Sequence, residues 1–130
     1  MRSQLLTLLL PLALGSVLQA SCDTLASPVA AANNDTISVG NYYFAPSPDT
    51  LTAGTNDLAT VTFIWGIGNQ YHNVTWDTGP GGGLPPNSPT QLAGMYTVML
   101  ATGTYTYHST VQMDVVERMS GTIVVLPRAP

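Results

Sequence analysis

Lysine is absent from this sequence, and arginine occurs only at positions 2, 118 and 128. Neutralising several phosphates takes several cations, and docking on an anionic bilayer through a basic patch draws on the same supply. Nucleic acid and a charge-recruited membrane surface are therefore excluded as partners. Seven acidic residues set a formal net charge of −4, yet charged side chains make up only 8% of the chain, so solubility rests on Thr, Ser, Asn and Gly. Cysteine is nearly as scarce. Cys22 stands alone, no disulfide can form within the chain, and the core must hold without staples. Beyond the amino-terminal apolar run no helical hydrophobic period occurs.

That run, LLTLLLPLALGSVL after Met1-Arg2, has the length and position of the apolar part of an export signal. Pro11 and Gly15 interrupt it, and it is short for a bilayer span. Residues 1–21 are accordingly read as a signal peptide. Cys22 follows in VLQASC, a stretch resembling a bacterial lipoprotein signal except that Gln19 stands where leucine is usual. Two outcomes stay open: lipidation of Cys22, which would tether the chain to a membrane, or ordinary cleavage after Ala20. Residues 22–35, small, polar and aperiodic, read as a flexible linker. Asn34-Asp35-Thr36 and Asn73-Val74-Thr75 match the glycosylation pattern, and beside a bacterial-type signal they are taken as chance matches.

From Thr36 to about Pro127 the pattern changes to short β-branched runs separated by Gly, Pro, Asn and Asp, the signature of one all-β domain. The runs are TISVG (36–40), TLTA (50–53), LATVTFIW (58–65), HNVTW (72–76), YTVML (96–100), TYTYHST (104–110) and GTIVVL (121–126). In the third run Val61, Phe63 and Trp65 share one face and Thr60, Thr62 and Ile64 the other, a period of two that marks a strand packed on one side. The predicted architecture is a Greek-key β-sandwich of seven or eight strands. One connection, DTGPGGGLPPNSPTQLAG (77–94), is too rich in Pro and Gly for a helix or a central strand, and loops of that length are either functional or mobile.

The segments FAPSPDTLTAGT, VTFIW, HNVTWDTG, GTYTYH and MSGTIVV, in this order and spacing, resemble the cupredoxins, the plastocyanin- and pseudoazurin-like blue-copper proteins. The resemblance implies a cupredoxin sandwich and, in the family, one-electron transfer through a copper held by two imidazoles, a thiolate and an axial thioether. Laid on this chain, His72 matches the first histidine and Met119 the axial methionine, while Ser109 falls on the cysteine of Tyr-x-Tyr-x-Cys and Gln112 on the second histidine. The gap from Gln112 to Met119 is longer than the family pattern. The resemblance thus implies a copper site that has lost two ligands, with no cofactor expected, or copper if the site still functions.

Neighbouring residues offer little rescue. With Tyr105, Tyr107 and Ser109 facing inward, strand alternation sends His108 outward, so it neither replaces the thiolate nor serves Ser109 as a base. His72 with Met113 or Met119 could hold Cu(I) weakly. Otherwise Ser109 and Gln112 fill a small polar pocket beside His72, with a water between them. Asp77, five residues past His72, is a candidate to orient its imidazole. Tyr42, Tyr43, Tyr71 and Trp76 offer an aromatic surface, of which at least half is expected to line the core. The expectation is an exported, non-catalytic binding or structural module, in the periplasm, on the outer surface or outside the cell, with an unidentified protein or small-molecule partner. Copper electron transfer and Cu(I) carriage are the alternatives.

Overall fold

The computed structural model describes residues 32–68, 70–128 and 130. The expected signal peptide, Cys22 and the linker up to residue 31 lie outside the described residues. Among the described residues, eight strands pack as two four-stranded sheets. The first has the order β2-β1-β4-β6, from β1 (Asn34–Gly40), β2 (Tyr43–Ala45), β4 (Leu58–Trp65) and β6 (Gly94–Ala101). The second has the order β3-β8-β7-β5, from β3 (Asp49–Thr52), β5 (Thr75–Thr78), β7 (Gly103–His108) and β8 (Ser120–Leu126). β1 runs parallel to β4, and β3 parallel to β8, while the remaining neighbours are antiparallel.

β4 shows why the sheets close on one another. Ala59, Val61, Phe63 and Trp65 alternate inward and are buried, as their period of two predicts. Tyr105 and Tyr107 come in from β7, and Ile123 and Val125 from β8. Phe63, Trp76, Tyr107 and Phe44 meet edge to face, the Phe63–Tyr107 centroids being 5.2 Å apart and the Phe44–Tyr107 centroids 4.9 Å. Each such pair adds about 0.5–1.5 kcal/mol beyond the area it buries. Tyr107 needs Gly121 opposite it: a Cβ there would lie 2.3 Å from the phenol oxygen.

Several expectations shift. β1 starts at Asn34, two residues inside the stretch read as linker. β2 has only Phe44 buried, too short a signal for alternation to reveal. The run read as a strand to Thr110 stops at His108, and a five-residue helix, α1 (Gln112–Val116), follows where no helix was expected. HNVTW is strand only from Thr75, although His72 forms an isolated bridge with Gln91.

The long connection proves to be a strap. Ser88 N–H donates to Val74 O at 2.9 Å, and Val74 N–H to Ser88 Oγ at 2.8 Å. Trp76 N–H donates to Asn87 Oδ1, and the Tyr96 hydroxyl to Pro86 O. The segment thereby satisfies backbone groups of 72–76 that lack a neighbouring strand. At one end of the sandwich, adjacent residues at the end of β3 receive the entry to β1 and the exit from β8: Thr52 N–H donates to Ala32 O, and Ala53 N–H to Leu126 O. The opposite end, where β1 and β4 finish, carries His72.

Candidate functional site

Three segments converge at that end. His72 sits in the bend before β5, Ser109 just past β7, and Asp114 in the middle of α1. All three are buried, at 0%, 1% and 1% exposure. Asp114 Oδ2 lies 2.7 Å from His72 Nδ1 and accepts the Ser109 hydroxyl at 2.5 Å. One carboxylate oxygen therefore joins the imidazole to the hydroxyl.

The other imidazole nitrogen is also committed. His72 Nε2 lies 3.1 Å from Asn41 Oδ1, which already accepts the Gln70 N–H at 2.8 Å. An oxygen fixed as acceptor there requires Nε2 to carry hydrogen. With an amide oxygen at one nitrogen and a carboxylate at the other, both ring nitrogens face acceptors. The Tyr42 ring meets His72 edge-on with centroids 6.4 Å apart, and its hydroxyl donates to Gln70 Oε1.

Asn73 holds the segments in register. Its Oδ1 accepts the Thr110 N–H at 2.8 Å, and its amide nitrogen donates to Thr110 Oγ1 at 2.7 Å and to Thr90 Oγ1 at 3.1 Å. The strap, the His72 bend and the turn after β7 are thus fastened to one side chain, whose buried amide nitrogen has no room for a glycan. Met119 is buried as well, its carbonyl accepting Ser109 N–H and its own N–H donating to Asp114 O. A pocket of about 180 Å³ has Ser109, Asp114 and Met119 in its wall.

The expected site is reorganised in one respect. Ser109 and His72 come together and Met119 is beside them, but Gln112 is exposed on α1 and takes no part. The polar pocket shared by Ser109 and Gln112 does not exist; Asp114 fills that role, because the helical turn after Val111 resets the phase of the chain. Met113 also points to solvent, 49% exposed. Asp77 does not orient His72: its Oδ1 pairs at 2.7 Å with His108 Nδ1 on the outer face, where alternation placed His108. Of the four aromatic residues singled out, Trp76 alone is buried in the core, while Tyr43 and Tyr71 are exposed. Asp114 was missed because its five-residue spacing from Ser109 spans a turn that no strand or helix period describes.

Among the described residues no three His, Cys, Asp or Glu side chains are grouped to hold a metal ion, and no helix there is long and apolar enough to cross a membrane. No protein-family model matches the chain, and no curated protein matches it. Solved structures do. Dithionite-reduced auracyanin from the photosynthetic bacterium Roseiflexus castenholzii aligns with a TM-score of 0.51 and 21% identity, over 77% of this chain and 99% of that one. An amicyanin variant in its reduced Cu(I) form at pH 4 gives 0.52 and 22%, over 69% and 79%. The copper-containing nitrite reductase of Thermus scotoductus gives 0.54 and 20%, over 73% of this chain and 22% of that one. At such identities the likeness speaks for architecture, and it agrees with the strand order and the aromatic core: the chain has the cupredoxin fold.

Proposed function

We propose that this chain is a cupredoxin-fold module whose type-1 copper site has been replaced by a hydrogen-bonded His72–Asp114–Ser109 cluster, and that it works without redox chemistry as an exported binding or structural module. The observation that carries this reading is Asp114 Oδ2, which bridges His72 and Ser109. In a blue-copper centre a metal ion does the bridging, between imidazole and thiolate.

The donor set does not suit cupric ion. A serine hydroxyl replaces the thiolate, a carboxylate replaces the second imidazole, and both nitrogens of His72 are engaged with acceptors. Only the Met119 thioether remains of the soft ligands. Nor is the trio arranged as a catalytic triad. The Ser109 hydroxyl donates to the carboxylate rather than to imidazole, so the hydroxyl has no base to activate it. The cluster acts as a structural pin, tying α1 to the His72 bend and the end of β7. Export rests on residues 1–21. A tether through Cys22 would enter at Ala32, opposite the pinned end, and leave that end facing outward toward a protein or small-molecule partner.

Copper titration of the full chain tests the reading. No tight uptake of Cu(II) or Cu(I) is expected. Intense blue colour would restore electron transfer, and tight colourless Cu(I) binding would make the protein a carrier through His72 and the methionines; either result overturns the proposal. Rebuilding the ligands sharpens it. Ser109→Cys with Asp114→His should generate a blue Cu(II) complex, whereas Ser109→Cys with Gln112→His should not, since Gln112 faces solvent.

A further inference from the structure

A second buried carboxylate lies elsewhere in the sandwich, and the chain gives it no counter-charge. The Thr52 N–H bond to Ala32 O, 3.2 Å long, lays the start of β1 along the end of β3. Three residues onward from Ala32 and three back from Thr52, that contact brings Asp35 beside Asp49. Asp49 is 4% exposed, and its Oδ2 has no hydrogen-bond partner. The hydroxyl of fully buried Tyr107 has none either. Burial, and after it the charge of Asp35, push the Asp49 carboxyl above its ordinary range; burial and then the charge of Asp49 push the Tyr107 phenol well up. The Asp35 carboxyl comes within hydrogen-bonding range of the Asp49 carboxyl, while Asp49 Oδ2 and the phenol oxygen, which feel one another, are left without a partner.

The surroundings offer oxygen. Asp35 is exposed, so the pair has a route to solvent. Asp35 Oδ1 accepts the Thr36 N–H at 2.6 Å, and the Tyr107 hydroxyl adds a neutral oxygen without a partner. Lysine is absent from the whole sequence, and the two ion pairs among the described residues, His72–Asp114 and His108–Asp77, lie elsewhere.

We propose that Asp35 and Asp49 together hold a hard divalent cation at the seam between the two sheets, with calcium as its probe. Carboxylate and hydroxyl oxygens select hard cations over copper or zinc. Two carboxylates with water completing the shell place the affinity in the range of weak extracellular modules, a Kd of about 10⁻⁴ to 10⁻³ M. The role is that of a clasp: β1 belongs to one sheet and β3 to the other, so a shared ion ties the layers together.

The full chain, freed of divalent ions by chelation and dialysis, is unfolded by heat at neutral pH with and without millimolar calcium at matched ionic strength. A rise in Tm of about 5 °C is expected. Asp49→Asn and Asp35→Asn keep side-chain volume and relieve the like-charge contact, so both should fold. Each should begin with a higher ion-free Tm than the parent and lose the calcium response. A parent Tm indifferent to calcium overturns the proposal, as does an equal response in both variants.

Discussion

Asp114 and Asp49 are both sealed inside the sandwich, at 1% and 4% exposure, yet they are provided for in opposite ways. Asp114 Oδ2 receives His72 and Ser109, side chains from two separate segments that converge on it. Asp49 Oδ2 receives nothing, and its nearest charged companion, Asp35, repels it. The same contrast runs through two inward hydroxyls of one strand and its extension. Ser109 donates to a carboxylate, while Tyr107, two residues earlier, ends without a partner. Burial alone therefore does not set the cost of a polar group; the partners brought to it do.

The largest effect should come from cutting the provided side. Asp114→Ala removes the acceptor for both His72 and Ser109 and should lower stability by about 3–5 kcal/mol, the range for breaking a buried pair, as read from urea unfolding. Asp49→Asn should do the reverse in calcium-free buffer. Because the folded carboxyl of Asp49 is raised above its unfolded value, it favours folding when protonated, and that contribution fades as pH climbs through the raised value. The parent should therefore fall behind Asp49→Asn progressively above the ordinary carboxylate range, with the two nearest at low pH. A gap that narrowed with rising pH would reverse the assignment.

Hydroxyl deletions repeat the comparison on a smaller scale. Ser109→Ala leaves Asp114 with one donor fewer and should cost about 1–3 kcal/mol. Tyr107→Phe removes a hydroxyl that bonds to nothing and should be neutral or slightly stabilising by the same measurement. Smallest of all is the outer-face pair of His108 and Asp77, more than a third exposed on each side. Asp77→Ala should move stability by less than about 1 kcal/mol, and less again in high salt.

How much of this could be read beforehand varies with the local rule. β4 was legible to the residue because an uninterrupted period of two places Val61, Phe63 and Trp65 inside. The same rule put Tyr105, Tyr107 and Ser109 inward and His108 outward, as observed. It stopped applying beyond Ser109, where the strand has already ended and α1 changes the step per residue. Laying the family's Cys-x-x-His spacing across that point pointed to Gln112 and passed over Asp114. Asp49 was illegible for another reason: a four-residue edge strand bearing one acid gives no cue that the acid faces inward, since its burial depends on β1 being laid across it. His72 and Ser109 were found from order along the chain, but the carboxylate that joins them is a product of tertiary placement.

Ala32 and Leu126 hydrogen-bond to neighbouring residues, Thr52 and Ala53, so β1 is entered and β8 is left at almost the same point. Such a body can be spliced into a surface loop of a host protein without prying that loop apart, or have its ends joined by a few residues and be cut open elsewhere. Carried in that way it would stand like a bulb in a socket, with the His72 face as the part that meets the surroundings.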